Sequence, residues 1–197
     1  MIERTLTIVR VLVLMLLSLG LGACASHGGV GPGRAELAGF ALQLEHEWSF
    51  IPGRTNRDIR VSQLTRYGPR LDRVFLISNL QDGQAMLDLG FERAPQYQSW
   101  MGAHQLERFL QQSLDALGYR QIEVTAQAVG GQSDEATRYR IIAEDAGGLA
   151  VEGFALARTG DYGLNLMIFM AARMHYFALL EEEVFDLMVS AEPLFTR

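Results

Sequence analysis

The sequence predicts an α+β domain in which an antiparallel sheet, built from a four-strand C-terminal meander plus N-terminal strands, packs with two amphipathic helices. Three observations carry this expectation. Four strand-like segments follow one another between residues 122 and 172, punctuated by Gly130-Gly131, Gly147-Gly148 and Gly160-Asp161, so adjacent antiparallel pairing is the economical topology. Two other segments, 99–117 and 175–190, repeat their apolar residues at three and four instead of two. The 197 residues are 49% apolar and 20% charged, enough to offset the chain entropy that keeps low-hydropathy sequences unfolded.

In Phe40–Ile51 the residues Phe40, Leu42, Leu44, Trp48 and Phe50 alternate with Gln43, Glu45, Glu47 and Ser49, which predicts one strand with one buried face. Residues 52–71, with Pro52, Gly53, Gly68 and Pro69, read as irregular, with a short edge strand at 59–64. Val74–Leu80, the turn signal Asp82-Gly83 and the alternating Ala85, Leu87 and Leu89 predict a hairpin. Leu106, Phe109, Leu110, Leu114 and Leu117 form a helical stripe that Gly118 terminates. The meander strands are expected at 122–129, 137–143, 149–157 and 164–172. Tyr139 and Ile141 should point inward, and the run Leu164–Met170, apolar on both faces, should be a central strand covered on both sides. The last helix puts Phe177, Leu180, Val184, Leu187, Met188 and Ala191 on one stripe, with Glu181, Glu182 and Asp186 away from it. Met167, Met170, Met174 and Met188 read as core filler.

The N-terminus reads as an address. Arg4 and Arg10 precede the unbroken apolar run Val11–Leu17, which continues through small residues to Ala23, the parts of an export signal. Residues 11–23 would span roughly 20 Å as a helix, short of the roughly 30 Å hydrocarbon core, and extending the run back to Thr5 would bury Arg10. A cleaved signal is therefore favoured over a spanning anchor. Leu21-Gly22-Ala23-Cys24 resembles the lipobox of bacterial lipoproteins, and the only cysteine of the chain sits at its end. The resemblance implies diacylglycerol on the Cys24 thiol, cleavage before Cys24 and an acylated, palmitate-type amine, and two or three acyl chains anchor stably where one does not. It further implies, with Ala25 next to the cysteine, an outer-membrane location facing the periplasm. The expected divisions are a signal peptide at 1–23, a lipidated Cys24 with a Gly-rich flexible tether to residue 34, and one domain over 35–197. Fully extended, the ten residues 25–34 reach about 35 Å.

The order of elements, an aromatic first strand ending in Trp48-Ser49-Phe50-Ile51-Pro52, the meander and a closing helix beginning Tyr176-Phe177, loosely resembles the Mog1/PsbP-like fold. That resemblance implies a binding or assembly factor without catalysis.

Composition excludes several kinds of chemistry. One cysteine makes neither an internal disulfide nor a thiolate cluster. All 17 basic residues are arginine, so there is no lysine for a Schiff base or a phosphate loop. Against 23 acidic residues they leave a net charge of −6, which argues against general nucleic-acid binding, and loss of residues 1–23 makes it −7. His46, His104 and His175 have no metal-ligand spacing, no G-x-S-x-G elbow occurs, and no metal or other cofactor is expected. Alternation places His46 on the apolar face between Leu44 and Trp48, where an imidazole needs a fixed partner. Glu45 and Glu47, about 7 Å apart on one strand face, have the spacing of a glycosidase pair but nothing to raise either pKa.

Arg54, Arg57, Arg60, Arg66, Arg70 and Arg73 lie within twenty residues whose only acids are Asp58 and Asp72. Guanidinium forks suit phosphate and carboxylate oxygens, so this stretch is the candidate site for an envelope protein or an anionic envelope component; pairing with the domain's own acids is the competing explanation. The expected function is a non-catalytic envelope lipoprotein that binds or scaffolds a partner. The alternatives are an enzyme acting on an envelope polymer through Glu45, Glu47 or His46, and a carrier of a hydrophobic ligand held between sheet and helix.

Overall fold

The computed structural model describes residues 28–53, 55–56, 59–86, 94–127, 136–160 and 162–194. At its centre is an eight-stranded antiparallel sheet. In spatial order the strands are β1 (Gly28–Val30), β4 (Trp48–Ile51), β7 (Ser62–Thr65), β8 (Asp72–Leu80), β12 (Gly163–Ala172), β11 (Ala150–Gly160), β10 (Ala136–Glu144) and β9 (Arg120–Gln127). A smaller sheet places β3 (Phe40–Leu44) between β2 (Gly33–Leu37) and β13 (Glu192–Pro193), and β5 (Thr55–Asn56) pairs with β6 (Ile59–Arg60). Two helices complete the described residues, α1 (Ala103–Ala116) and α2 (Tyr176–Ser190).

Both faces of the large sheet are covered, and the register shows how. One rung runs Tyr139, Ala155, Ile168, Phe75, and these side chains join Leu106, Phe109, Leu110 and Leu114 of α1 in one core. The next rung runs Phe154, Phe169, Val74, Leu64, and these face Leu180, Val184, Leu187 and Met188 of α2 in a second core, which Phe40, Leu42 and Leu44 of β3 close from the side. The result is a layered α+β fold, helix, sheet, then helix with the small sheet. β12 lies between β8 and β11 with both faces buried, as its two-sided apolar run requires. Each fully buried Leu or Phe contributes about 1.5–3 kcal/mol, so the two cores hold the sheet from both sides. The meander β9–β12, the inward Tyr139 and Ile141, and both helical stripes match the expectations from sequence, with element ends shifted by a few residues.

Several expectations need correction. Phe40–Ile51 is two strands: the chain bends at Glu45-His46-Glu47, and β3 and β4 belong to different sheets. Leu44 and Trp48 are both buried, so the alternation survives a corner that three successive polar residues mark. The segment read as tether is ordered from Gly28 onward, because Gly28–Val30 pairs with β4 and Gly33–Leu37 with β3. Main-chain hydrogen bonds need no side chain, so a Gly-rich stretch can serve as an edge strand. Asp82-Gly83 does turn, Gly83 having φ +78 and Gln84 N–H donating to Gln81 at 3.0 Å, but among the described residues no second hairpin strand returns beside β8. β7 and β12 occupy both of its edges, and Ala85 makes only an isolated bridge to Gln96. Leu87 and Leu89 lie outside the described residues. Met174 is fully exposed at 96%, unlike the buried Met167, Met170 and Met188.

Candidate functional site

Where β8, β11 and β9 begin and β10 and β12 end, three tight turns meet, and each is fixed by its own hydrogen bonds. The first lies between β7 and β8. The buried Asp72 carboxylate accepts the Arg66 and Tyr67 N–H groups at 2.7 Å each and the Thr65 hydroxyl at 3.3 Å, while Gly68 N–H donates to the Thr65 oxygen at 2.9 Å. Burial pushes the Asp72 carboxyl above the usual carboxylate range, against the lowering effect of those donors. The second turn ends α1. Gly118 takes φ +91, its N–H donates to Asp115 at 2.8 Å, and Tyr119 N–H donates to Leu114 at 3.1 Å, the paired bonds of a Schellman cap. The third joins β10 to β11, where Asp145 Oδ1 accepts the Gly147 and Leu149 N–H groups, both at 2.8 Å.

Between these turns lies a cleft of about 500 Å³. Arg70 and Arg73 stand on one wall, Asp145 on another, and Leu71, Leu117 and Leu149 supply apolar surface. Tyr119, 5% exposed, lines it with its largely buried ring. Burial raises the Tyr119 phenol above its ordinary value, while Arg73 pulls it down and Asp145 pushes it up, so both charges act on it. Arg73 donates to the Pro69 carbonyl and lies 5.7 Å from the Phe75 ring centre. Arg70 is exposed and makes no ion pair among the described residues.

Of the six arginines singled out in sequence, the structure describes the side chains of three. Arg70 and Arg73 line the cleft. Arg66 is spent internally, donating to Glu183 of α2 at 2.5 Å, as the competing explanation anticipated. Arg54 and Arg57 lie outside the described residues, as does the side chain of Arg60, and so does Cys24.

Beside the cleft, toward α2, the same end of the sheet carries an exposed apolar group. The Tyr67 ring packs tilted against Tyr176, centres 5.3 Å apart, and Tyr176 is itself 5.0 Å from the His175 ring. Met174 is 96% exposed, Leu179 50% and Tyr67 43%. Sequence reasoning misses this group: Met174 reads as core filler, and Leu179 is not singled out.

The residues of the enzymatic alternative are placed as follows. His46 sits at the exposed bend, not on the apolar face, and its Nδ1 lies 3.0 Å from Glu183 Oε1, so Glu183 ties the β3–β4 bend and the β7–β8 turn to α2. Glu45 lines a cleft of about 250 Å³ with Glu183 and Asp186, floored by Leu44, Trp48 and Leu187. Glu47 is exposed. His104 and His175 are exposed, as expected, with His104 3.2 Å from Glu107. For the carrier alternative, the spaces between the sheet and both helices are occupied by the packed side chains of the two cores. Among the described residues no group of His, Cys, Asp and Glu could hold a metal ion, and no helix is long and apolar enough to cross a membrane.

The layered sheet with a helix on each face is a PsbP-like fold. The solution structure of cyanobacterial PsbP (CyanoP) from Synechocystis sp. PCC 6803 is similar to this chain with a TM-score of 0.53 and 15% identity, over 88% of this chain and 99% of that one. At that identity the likeness is one of fold. No family model and no curated protein matches the chain.

Proposed function

We propose that this protein is a lipid-anchored, non-catalytic binding module of the bacterial envelope, docking a partner protein on the end of its sheet that presents Tyr67, Met174 and Leu179. The observation that carries the reading is that exposed apolar group, beside a cleft framed by hydrogen-bonded turns. A large thioether and an isobutyl group held in water at a helix start stabilise nothing in the free domain, and exposed apolar and aromatic clusters of this kind mark contact surfaces. The lipobox supports anchoring through diacylglycerol on Cys24, at the outer membrane facing the periplasm. With β1 beginning at Gly28, three residues separate that anchor from the sheet and let it stand about 14 Å away at most, much less than the extended tether would allow. The domain would hang close to its bilayer.

In-cell photocrosslinking tests the docking surface, with the crosslinking residue placed at Met174, at Leu179 and, as a control away from this end, at Glu36 on β2. A discrete adduct from Met174 and Leu179 that is absent at Glu36 is the expected result. Equal or absent capture at all three sites would sink the surface. The same strains carrying Arg54→Ala, Arg57→Ala and Arg60→Ala report whether the remaining arginines contribute to capture.

A further inference from the structure

We infer that the cleft between the three turns binds a single carboxylate carried on a small apolar body, with the carboxylate set among Arg70, Arg73 and the Tyr119 hydroxyl. This deepens the binding-module reading by naming the chemistry of a second contact beside the docking face. The parts are complementary. Arg70 offers a full guanidinium fork that nothing among the described residues occupies, and Arg73 is pinned by Pro69 and the Phe75 ring so that it enters the cleft in a fixed pose. Tyr119 supplies a neutral donor on a largely buried ring placed by the Schellman cap, so its O–H can turn to a ligand oxygen in the cleft at little ordering cost.

The charge count selects the anion. Two guanidinium groups and the Asp145 carboxylate leave the cleft at +1, which one carboxylate neutralises. A dianionic phosphate would exceed that count and face Asp145, whose Oδ1 is locked toward the Gly147 and Leu149 amides and so cannot swing away without breaking the turn. Leu71, Leu117 and Leu149 provide the apolar wall for the body attached to the carboxylate, and about 500 Å³ falls in the range of small-molecule and side-chain sites. All three framing turns are fixed before any ligand arrives, which spares the ordering cost of binding.

Calorimetric titration of the purified full-length protein, with amide chemical shifts of Gly118, Tyr119 and Gly147 as the local readout, tests this with four probes. These are N-acetyl-leucine, its neutral amide, its phosphonic acid analogue and isovalerate. N-acetyl-leucine should bind, with the amide at least about tenfold weaker because it forfeits the charge-assisted hydrogen bonds, and the phosphonate at least about tenfold weaker because its second charge faces Asp145. Isovalerate binding as well would identify the ligand as any small branched acid, and N-acetyl-leucine alone as a peptide end; either supports the carboxylate site. Tyr119→Phe keeps the buried ring and Arg70→Gln alters only an exposed side chain, so each should weaken N-acetyl-leucine about tenfold at an unchanged thermal midpoint. If Tyr119→Phe lowers that midpoint, Arg70→Gln decides alone. Amide binding equal to acid binding, or a wild-type affinity in Arg70→Gln, would overturn the proposal. Because the measurement is made on purified protein, its failure leaves both the lipid anchor and the Met174 and Leu179 surface standing, and their failure leaves the cleft standing.

Discussion

Arg158 shows how one side chain can finish an element that its own sequence leaves open. Helix α2 ends without a glycine or a basic residue in its last turn, and Ala191 leaves it in an extended conformation. Arg158, reaching from β11, donates to the carbonyls of Ala191 at 2.7 Å, Val189 at 2.6 Å and Met188 at 3.4 Å. A cation at this position satisfies the orphan carbonyls and opposes the negative end of the helix. Arg158→Ala should therefore cost about 1–3 kcal/mol in chemical denaturation, by exposing several part-buried acceptors at once. Asp72 is the second such residue. Its native carboxyl titrates above the ordinary value, so it binds its proton at a higher pH folded than unfolded, and its contribution to stability declines as pH rises from the ordinary value through the raised one. Asp72→Asn removes that slope and leaves the Arg66 or Tyr67 N–H without an acceptor, a loss of about 1–3 kcal/mol. Urea midpoints of both proteins across that interval should show the wild type losing ground to the variant as pH increases. Glu107 has the opposite sign. The Ala126 N–H at 2.6 Å, and then His104, hold it below the ordinary range, so its contribution is present above the unfolded value and fades as pH falls.

Among the elements, the meander depends on close approach between β11 and β12. A Cβ on Gly153 would lie 2.0 Å from the Phe169 carbonyl oxygen and 2.9 Å from the Met170 sulfur. Gly153→Ala must push two buried central strands apart, and a loss of about 1–3 kcal/mol or more in thermal unfolding is expected. Gly118→Ala at φ +91 should cost about 1 kcal/mol and loosen the Schellman cap, and with it the placement of Tyr119, so carboxylate binding should weaken together with stability. The elements with a strong period were legible. The stripe of α1, the glycine that ends it and the alternation in β10 are consequences of local geometry, and local residues encode them. The bend at 45–47 was not, because the two strands it joins keep their alternation while entering different sheets, and only the layer packed against each distinguishes them. Arg138 belongs to the same class, its guanidinium lying 4.6 Å from both Phe154 and Phe185 across a strand and a helix.

At the scale of the molecule, the pairing of β1 shortens any link between a lipidated Cys24 and the domain to three residues. Metabolic labelling with a palmitate analogue should mark the wild type, and Cys24→Ala should abolish the label and release the protein from membranes; an unlabelled wild type with an uncut N-terminus would remove the anchor. Lengthening the link by ten Gly/Ser residues before Gly28 should leave the labelling unchanged and would change partner capture only if distance from the bilayer matters to docking. The charge of the whole chain told less than its placement, for an acidic domain presents two arginines in a single cleft while a third is spent on Glu183.

Sequence alone determined the α+β class, the order of the meander, the two-sided burial of β12 and the faces of both helices, since each follows from a repeat within a single segment. Tertiary structure decided which edge the first glycines would join, which arginines remained free, and that residues 70–73, 117–119 and 145–149 would share one cleft. Those outcomes depend on contacts between segments far apart in the chain, where no local periodicity records which turn will meet which.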